Sequence, residues 1–216
     1  MSVAIIDYGS GNLRSAAKAF ERAARETGIS ADIIVTDDPE KVRNASHIVL
    51  PGVGAYADCR AGLDAVTGMV EVLNEQVIKG GKPFFGICVG MQLMSTVGRE
   101  FADTPGLDWI KGEVVAIEPA DPSLKIPHMG WNELVLDLSG KSHSVLSGVS
   151  DGDHAYFVHS YHMHVQNPDE RLVSVDYGGA LTAMIGRDNM IGTQFHPEKS
   201  QKTGLTIIGN FLGWKP

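Results

Sequence analysis

Two separate motifs carry the residue types that covalent catalysis needs. The first is GICVG, residues 86–90, in which Cys88 stands between Gly86 and Gly90. This G-x-nucleophile-x-G pattern is typical of a strand that turns sharply into a helix, because glycines allow the tight backbone crossing and the nucleophile projects above the sheet. A helix N-terminus there would favour the thiolate form of Cys88. The alternative interpretation is a small buried apolar residue, the commonest role of a free cysteine.

The second motif is TQFHPEKS, residues 193–200, and it supplies a base. His196 follows a short apolar run, Pro197 fixes the next backbone angle, and Glu198 stands where its carboxylate could hold the imidazole in one tautomer. Thiol, imidazole and carboxylate together form the nucleophile, base and orienter of covalent catalysis. A lone His-Pro-Glu is a weak signal, since a histidine at a strand end is usually structural. Paired with GICVG, it predicts a catalytic site built on Cys88.

The elements that would position these residues follow from the alternation of apolar runs. In the first half, short β-branched runs alternate with helical periods. The predicted strands are VAIID (3–7), DIIVT (32–36), HIVLP (47–51) and PFFGIC (83–88). The predicted helices carry Leu13, Ala16, Ala17, Phe20 and Ala24, and then Leu63, Val66, Val70, Leu73 and Val77. The second half predicts closely spaced strands at GEVVAIEP, ELVLDL, AYFVHSYHMHV, RLVSVDY and MIGTQF, before a last helix with Leu205, Ile208 and Leu212.

This order of elements predicts an α/β fold of the flavodoxin-like kind. We expect a doubly wound, mostly parallel sheet with helices on both faces and additional antiparallel strands in the C-terminal half. In such sheets ligands bind beyond the carboxyl ends of the strands. The residues just after VAIID, HIVL and FFGI are therefore where chemistry is expected.

Composition narrows the function classes. The chain has 216 residues and a net charge of -8, and no repeat or linker divides it, so we expect a single domain over residues 1–216. This acidic balance argues against nucleic acid and against anionic membrane surfaces as partners. The N-terminus has neither the basic flank nor the apolar length of a signal peptide, which predicts a cytoplasmic protein. In that compartment Cys59 and Cys88 are expected to be free thiols.

Several other features suggest sites that we consider weaker. Gly9-Ser10-Gly11 follows a strand, but the third glycine of a dinucleotide motif would fall at Arg14. His154, His159, His162 and His164 lack the accompanying residues of a metal site, so structural roles are expected, and no metal or cofactor is predicted. Cys59 is expected to be inert. The three tryptophans are interpreted as packing residues rather than as a binding platform; they are Trp109, Trp131 and Trp214.

The two motifs together resemble those of the class I (triad) glutamine amidotransferases. GICVGMQLM followed by HPEKS carries this resemblance. Four further segments are similar to one branch of that family, the glutaminase subunits of imidazole glycerol phosphate synthase; they are YGSGNLRS (8–15), PGVGAY (51–56), IPHMGWNE (126–133) and YFVHSYH (156–162). The lysine in HPEKS favours this branch, because anthranilate-type relatives usually carry HPES.

The resemblance implies a role for each motif residue. Cys88 would attack the carboxamide carbon of glutamine, His196 would move the proton and Glu198 would orient His196. The thioester on Cys88 would then be hydrolysed, giving glutamate and ammonia. The oxyanion hole would use the amide of Val89 and an amide of the PGVG loop at Gly52 or Val53. A flip of that loop would switch the glutaminase on.

The resemblance also implies how glutamine is bound. Gln92, Glu100 and the main chain at Ser160 and Tyr161 match positions that hold the amino-acid end of the substrate. A carboxylate suits the ammonium group, and backbone donors suit the carboxylate. For Glu100 the alternative interpretation is a solvated charge at a helix end.

The chemistry further implies a partner. Ammonia released into water is protonated and loses its nucleophilicity, so it must pass directly to a synthase. A (β/α)8 barrel needs about 250 residues and cannot lie within this chain. The resemblance implies a heterodimer with a separate barrel-shaped cyclase subunit in histidine biosynthesis, docked on Asn12, Arg14 and Lys199. The alternatives are a glutaminase subunit for another acceptor such as chorismate, a stand-alone cysteine hydrolase, and a binding module without catalysis.

Overall fold

A central eight-stranded sheet organises the molecule. The computed structural model describes residues 1–216, and the strands of this sheet lie in the order β2-β1-β3-β4-β14-β13-β12-β9. The first five in that order are parallel, and β13, β12 and β9 extend the sheet in antiparallel fashion. The bounds are β1 Ser2–Ile6, β2 Asp32–Thr36, β3 His47–Gly52, β4 Phe84–Cys88, β9 Val135–Leu136, β12 Arg171–Asp176, β13 Ala180–Arg187 and β14 Met190–Thr193. The predicted mostly parallel sheet with antiparallel additions is confirmed.

Helices cover this sheet on both faces. The chain moves from β1 to β2 in one direction along the sheet and then from β2 past β1 to β3 in the other, so right-handed crossovers place the intervening helices on opposite faces. Accordingly, α1 packs with α7, while α4 packs with α2 and α3. The bounds are α1 Leu13–Thr27, α2 Pro39–Asn44, α3 Tyr56–Ala65, α4 Met69–Leu73, α5 Val89–Gln92, α6 Leu138–Ser142 and α7 Gln201–Gly213. None of the helices combines the length and apolar character needed to cross a bilayer.

The middle strands are apolar along their whole length because both of their faces are covered. Every residue of β3, β4 and β14 is buried. On one side, Phe20 of α1 and Phe211 of α7 meet edge to face at 6.2 Å, and Phe85 of β4 packs on Phe211 at 5.2 Å. This aromatic layer holds both helices against the centre of the sheet. The edge strand β2 is more exposed.

Two smaller sheets lie beside the central one. The first pairs β10 (His154–His159) with β8 (His128–Glu133), and the second has the order β11-β7-β5-β6. Its strands are β5 Val97–Gly98, β6 Thr104–Pro105, β7 Gly112–Ala116 and β11 Tyr161–Val165. The prediction of one strand over AYFVHSYHMHV is wrong. The chain leaves one sheet at Ser160 and enters another, so two strands occupy that run.

The predicted helix through Val77 is also interrupted. It ends at Ala65, and Gly68 adopts a left-handed conformation with φ of 82° before α4 begins. A π-helical segment, Asn74–Lys79, then continues α4. The apolar spacing of Leu63, Val70 and Val77 is satisfied by separate helical segments that face the same core, so periodicity alone did not reveal the break.

Candidate active site

The carboxyl ends of three neighbouring parallel strands meet at one edge of the sheet. Gly52, the last residue of β3, pairs in register with Cys88, the last residue of β4. On the other side of β4, Thr193 of β14 pairs with Ile87, so the TQFHPE motif emerges beside the GICVG motif. Parallel strands bring their carboxyl ends to the same edge, and this edge therefore joins the two motifs that are more than 100 residues apart in the sequence.

Cys88 lies on a sharp turn between β4 and α5. Its backbone has φ of 55° and ψ of -113°, a region that residues other than glycine rarely adopt. The turn is also tightly packed. A Cβ built at Gly90 would overlap the carbonyl oxygen of Leu50, and one at Gly86 would lie 2.7 Å from the carbonyl oxygen of Gly90. Only glycine fits on both sides of Cys88, as the motif predicted.

His196 and Glu198 form a buried pair next to Cys88. Nδ1 of His196 donates to Oε1 of Glu198 at 2.9 Å, and their side chains are only 4% and 2% exposed. Burial by itself lowers the pKa of His196, but the adjacent Cys88 and Glu198 side chains outweigh burial and raise it to about 10. The protonated form of His196 is therefore favoured.

The backbone around His196 is fixed from both sides. Its amide donates to the carbonyl oxygen of Tyr156 in β10 at 3.0 Å. Ser200 Oγ donates to the His196 carbonyl oxygen at 2.7 Å and accepts from the Tyr156 amide at 3.0 Å. The small β10–β8 sheet is thus tied directly to the histidine.

Two buried glutamines connect Cys88 with the strand β11. Gln194 Nε2 lies 3.8 Å from Cys88 Sγ, and Gln194 Oε1 accepts from Gln92 Nε2 at 3.0 Å. Gln92 Nε2 also donates to the carbonyl oxygen of Tyr161 at 3.1 Å. The resemblance implied a role for Gln92, but no motif pointed to Gln194. Its signal was the two-residue spacing from His196, which places both side chains toward the same side of an extended segment.

The PGVG loop is held by residues from the loop after β1. The amide of Val53 donates to Ser10 Oγ at 3.1 Å, and Ser10 Oγ donates to the carbonyl oxygen of Val53 at 2.6 Å. Cys59 Sγ lies 3.3 Å from both the Val53 carbonyl oxygen and Ser10 Oγ. Burial raises the pKa of the Cys59 thiol. The Tyr8 hydroxyl is buried beside Gly52 without a hydrogen-bond partner.

The remaining candidate substrate residues lie around the same edge. Glu100 follows β5, and its Oε2 accepts from the amide of Tyr56 at the start of α3, at 2.7 Å. Ser160 joins β10 to β11, and its carbonyl oxygen accepts from the Ile117 amide at 2.9 Å. Successive residues of a strand direct their backbone N–H and C=O groups to opposite sides. Those of Tyr161 therefore point away from β7, toward Gln92.

Comparison with known proteins decides the family. The chain matches the family model "Glutamine amidotransferase class-I" over residues 4–213. The chain belongs to the class-I glutamine amidotransferase family. Its similarity to members of this family extends over its full length. It is 61% identical to "Imidazole glycerol phosphate synthase subunit HisH" of Rhodospirillum rubrum, with 100% of both chains covered. It is also 61% identical, with the same coverage, to the protein of that name from Brucella suis biovar 1.

Solved structures of amidotransferases share the fold. One described as "glutamine amidotransferase" superposes with a TM-score of 0.69 at 17% identity, covering 98% of this chain and 99% of that chain. The glutaminase domain of Trypanosoma brucei CTPS, solved with bound acivicin, gives a TM-score of 0.63 at 14% identity and covers 100% and 95% of the two chains.

In this amidotransferase, the three residues selected for partner contact differ in their surroundings. Asn12 precedes α1 and lines a small cavity together with Val53, His196 and Glu198. Arg14 is exposed on the first turn of α1. The Lys199 ammonium lies 5.6 Å from the ring centroid of Tyr156, and neither Lys199 nor Arg14 forms an ion pair within the chain.

The histidines and tryptophans outside the site differ in their surroundings. His162 and His164 share a strand face, with their Nε2 atoms 3.0 Å apart. No three histidine, cysteine or acidic residues come together as a metal site would require. Trp109 and Trp214 are buried, whereas Trp131 lies at the surface. That ring is 46% exposed and touches Tyr156 edge to face at 5.9 Å.

Proposed function

We propose that this chain is the glutaminase subunit of an imidazole glycerol phosphate synthase. It would hydrolyse L-glutamine to glutamate and ammonia at Cys88 and pass the ammonia to a cyclase subunit in the cytoplasm, as part of histidine biosynthesis. The observation that carries the proposal is the buried His196–Glu198 pair beside Cys88, in a chain 61% identical over its whole length to proteins named as subunits of that synthase. Residues 1–216 would act as one amidotransferase domain.

The triad would work by transfer of one proton. The Cys88 sulfur gives its proton to His196 Nε2 and attacks the carboxamide carbon of glutamine. The C–N bond then breaks, and His196 returns that proton to the leaving nitrogen, which departs as ammonia. Water, deprotonated by His196, then cleaves the thioester and releases glutamate. Because Nδ1 of His196 is engaged by Glu198, Nε2 is the nitrogen available for both transfers.

Stabilisation of the oxyanion would depend on movement of the PGVG loop. The Val89 amide, directly after Cys88, is one donor of the expected kind. The Val53 amide is occupied by Ser10 Oγ, so it must leave Ser10 before it can face the substrate. Gly52 and Gly54 on either side of Val53 give the loop the freedom to rotate. We propose that partner binding favours the rotated loop.

Glutamine would lie between α5, the segment after β5 and the start of β11. Gln92, Glu100 and the main chain at Ser160 and Tyr161 would hold its amino-acid end. The Tyr161 N–H points to the same edge as the Tyr161 carbonyl, which Gln92 contacts, and it is a suitable donor for the substrate carboxylate.

The partner would cover the edge on which Asn12, Arg14 and Lys199 lie. We propose a (β/α)8-barrel cyclase subunit that forms a heterodimer with this chain. Lys199, which has no carboxylate partner within the chain, is available for an ion pair with an acidic residue of the cyclase. The exposed ring of Trp131 adjoins Tyr156 and so extends this surface.

The test is glutamate release from glutamine by the purified chain, alone and then with a barrel cyclase subunit and its ribonucleotide ligand. We expect little release by the chain alone, strong release in the complex, and none in either case with Cys88→Ala. Equal activity with and without the cyclase would favour a stand-alone hydrolase. Stimulation only by a chorismate-using partner would assign the other acceptor, and activity of Cys88→Ala would refute the catalytic assignment altogether.

A further inference from the structure

A continuous chain of hydrogen bonds runs through two buried histidines to the start of β11. Asn132 Nδ2 lies 3.2 Å from His128 Nε2, and His128 Nδ1 lies 3.0 Å from His159 Nε2. His159 Nδ1 in turn lies 2.9 Å from the carbonyl oxygen of Tyr161. His128 and His159 face each other across the β8–β10 pair and are 2% and 6% exposed.

The two ends of this series of hydrogen bonds determine which atom is the donor in each of them. Asn132 Oδ1 accepts from the Glu133 amide at 2.8 Å and Asn132 Nδ2 donates to the Asp176 carbonyl oxygen at 2.9 Å, which fixes the orientation of the amide. His128 Nε2 must therefore accept, and His128 Nδ1–H donates to His159 Nε2. The far end agrees, because a carbonyl oxygen can only accept, so His159 Nδ1 carries its proton toward Tyr161.

The surroundings keep both rings neutral and in place. His128 is stacked between Phe157 and Tyr177, with ring centroids 4.8 Å and 4.0 Å away and interplanar angles of 22° and 27°. Burial lowers the pKa of His128 to about 4 and that of His159 to about 3. Neither ring is suited to proton transfer at neutral pH, which leaves hydrogen bonding as the role of the pair.

The series of hydrogen bonds ends on an atom that is also linked to Cys88 through two glutamines. The Tyr161 carbonyl oxygen accepts from His159 Nδ1 and from Gln92 Nε2, which uses both of its lone pairs. Gln92 continues through Gln194 to Cys88. The orientation of the Tyr161 backbone, and with it the direction of the Tyr161 N–H, is therefore set jointly by His159 and Gln92.

We propose that His159, supported by His128 and Asn132, is a positioning residue for glutamine. By fixing the Tyr161 carbonyl, the Nδ1–H tautomer of His159 aligns the adjacent N–H and the Gln92 side chain with the amino-acid end of the substrate. The inference rests on the proposed glutaminase function and assigns to these three side chains a role in substrate affinity.

Two substitutions at His159 separate this role from simple packing. His159→Asn keeps an N–H near the position of Nδ1, whereas His159→Leu fills a similar volume without a donor. In the complex with the cyclase subunit, we expect His159→Leu to raise the KM for glutamine about tenfold with kcat changed less than threefold, and His159→Asn to stay within about threefold of wild type in KM. Alkylation of Cys88 by iodoacetamide should proceed at the wild-type rate in both variants.

The inference is overturned if His159→Leu leaves KM within twofold of wild type, or if both variants raise it equally. Absence of glutamine hydrolysis by the wild-type complex would instead refute the proposed function. Nitrogen NMR of the histidine-labelled full chain gives a test that needs no variant and no activity. We expect His128 and His159 both as the Nδ1–H tautomer, unchanged between pH 8 and pH 6. A protonated Nε2 on His159 would contradict the proposal.

Discussion

Glu198 shows how much a single buried charge can contribute to this site. Its Oε1 receives the His196 Nδ1–H, and its Oε2 is buried without a partner. A carboxylate so placed interacts with the histidine in a weakly screened environment. In the proposed mechanism, Glu198 would favour the protonated ring of His196 and fix its tautomer.

We therefore expect Glu198→Gln to reduce kcat for glutamine hydrolysis by about 10²-fold to 10⁴-fold, with little change in KM. The amide can still accept from His196 Nδ1, but it lacks the charge that supports the imidazolium. Steady-state kinetics of the cyclase complex measure both parameters, with Cys88→Ala as the blank. A loss of less than threefold would show that His196 needs no orienting charge.

At the scale of single residues, the sequence predicts Cys88, His196 and Glu198 but not the polar residues around them. Cys, His and Glu in rigid motifs have few competing interpretations, so Cys88, His196 and Glu198 can be selected from spacing. Gln194 and Ser10 are ordinary polar residues whose importance depends on contacts across more than 40 residues of sequence. No local pattern encodes such contacts, because the same residue types are common in solvent-exposed loops.

Among the elements, the turn from β4 into α5 is the least tolerant of added volume. At Gly90 a methyl group would overlap the Leu50 carbonyl of the adjacent strand β3, and backbone cannot move aside as a side chain can. We expect Gly90→Ala to lower the free energy of unfolding by about 3 kcal/mol or more. Urea denaturation measures the change.

Gly81→Ala is the matched control for that substitution. Gly81 has φ of 66° and no neighbouring atom within 4 Å of an added Cβ, so only backbone strain of about 1 kcal/mol is expected. Equal losses in the two variants would mean that close packing is not what excludes a side chain at Gly90.

The β8–β10 pair should make the fold sensitive to acid. The pKa values of His128 and His159 are lowered to about 4 and about 3 by burial, against about 6.5 in an unfolded chain. The unfolded chain thus binds more protons below pH 6.5, and stability that is complete above that pH is lost as the pH falls. His162 and His196 also face His159, and positive charge on either adds to this penalty.

We expect each of the two histidines to remove at most about 2 kcal/mol of stability between pH 7 and pH 5. Urea unfolding of the wild type and of His159→Asn at both pH values measures the contribution, because the variant lacks one titrating ring. Identical pH dependence of the two proteins would show that His159 does not titrate in this way.

Strand type is easier to predict here than strand boundaries. The continuous apolar runs of β3 and β4 need burial on both faces, and a parallel sheet between two helical layers is the arrangement that supplies it. The break at Ser160 and the left-handed turn at Gly68 depend instead on which surface each segment packs against. Val66 and Met69, which flank Gly68, pack in or against the core, and the buried residues His159 and His162 flank the break at Ser160, so the pattern of inward-facing positions continues where the element does not.

For the whole molecule, the loop after β1 connects the proposed partner surface with the proposed active site. Asn12 and Arg14 follow Ser10 by two and four residues, and Ser10 holds the Val53 amide away from the proposed oxyanion position. A partner that moves this loop would also release Val53.

We expect Ser10→Ala to raise glutamate release by the chain alone about tenfold, because the Val53 amide loses its acceptor and rotates more readily. The activity of the cyclase complex should change much less, so the stimulation by the partner falls. Glutamate assays with and without the cyclase measure this ratio. Unchanged release by the chain alone would show that Ser10 does not restrain the loop.

The pairing of Ser10 with Val53 has a consequence for the living cell. Copies of this chain made in excess of the proposed cyclase would be without a partner. With the Val53 amide held by Ser10, those surplus copies would leave the cell's glutamine pool intact. Expression of the two subunits therefore would not need to be tightly matched.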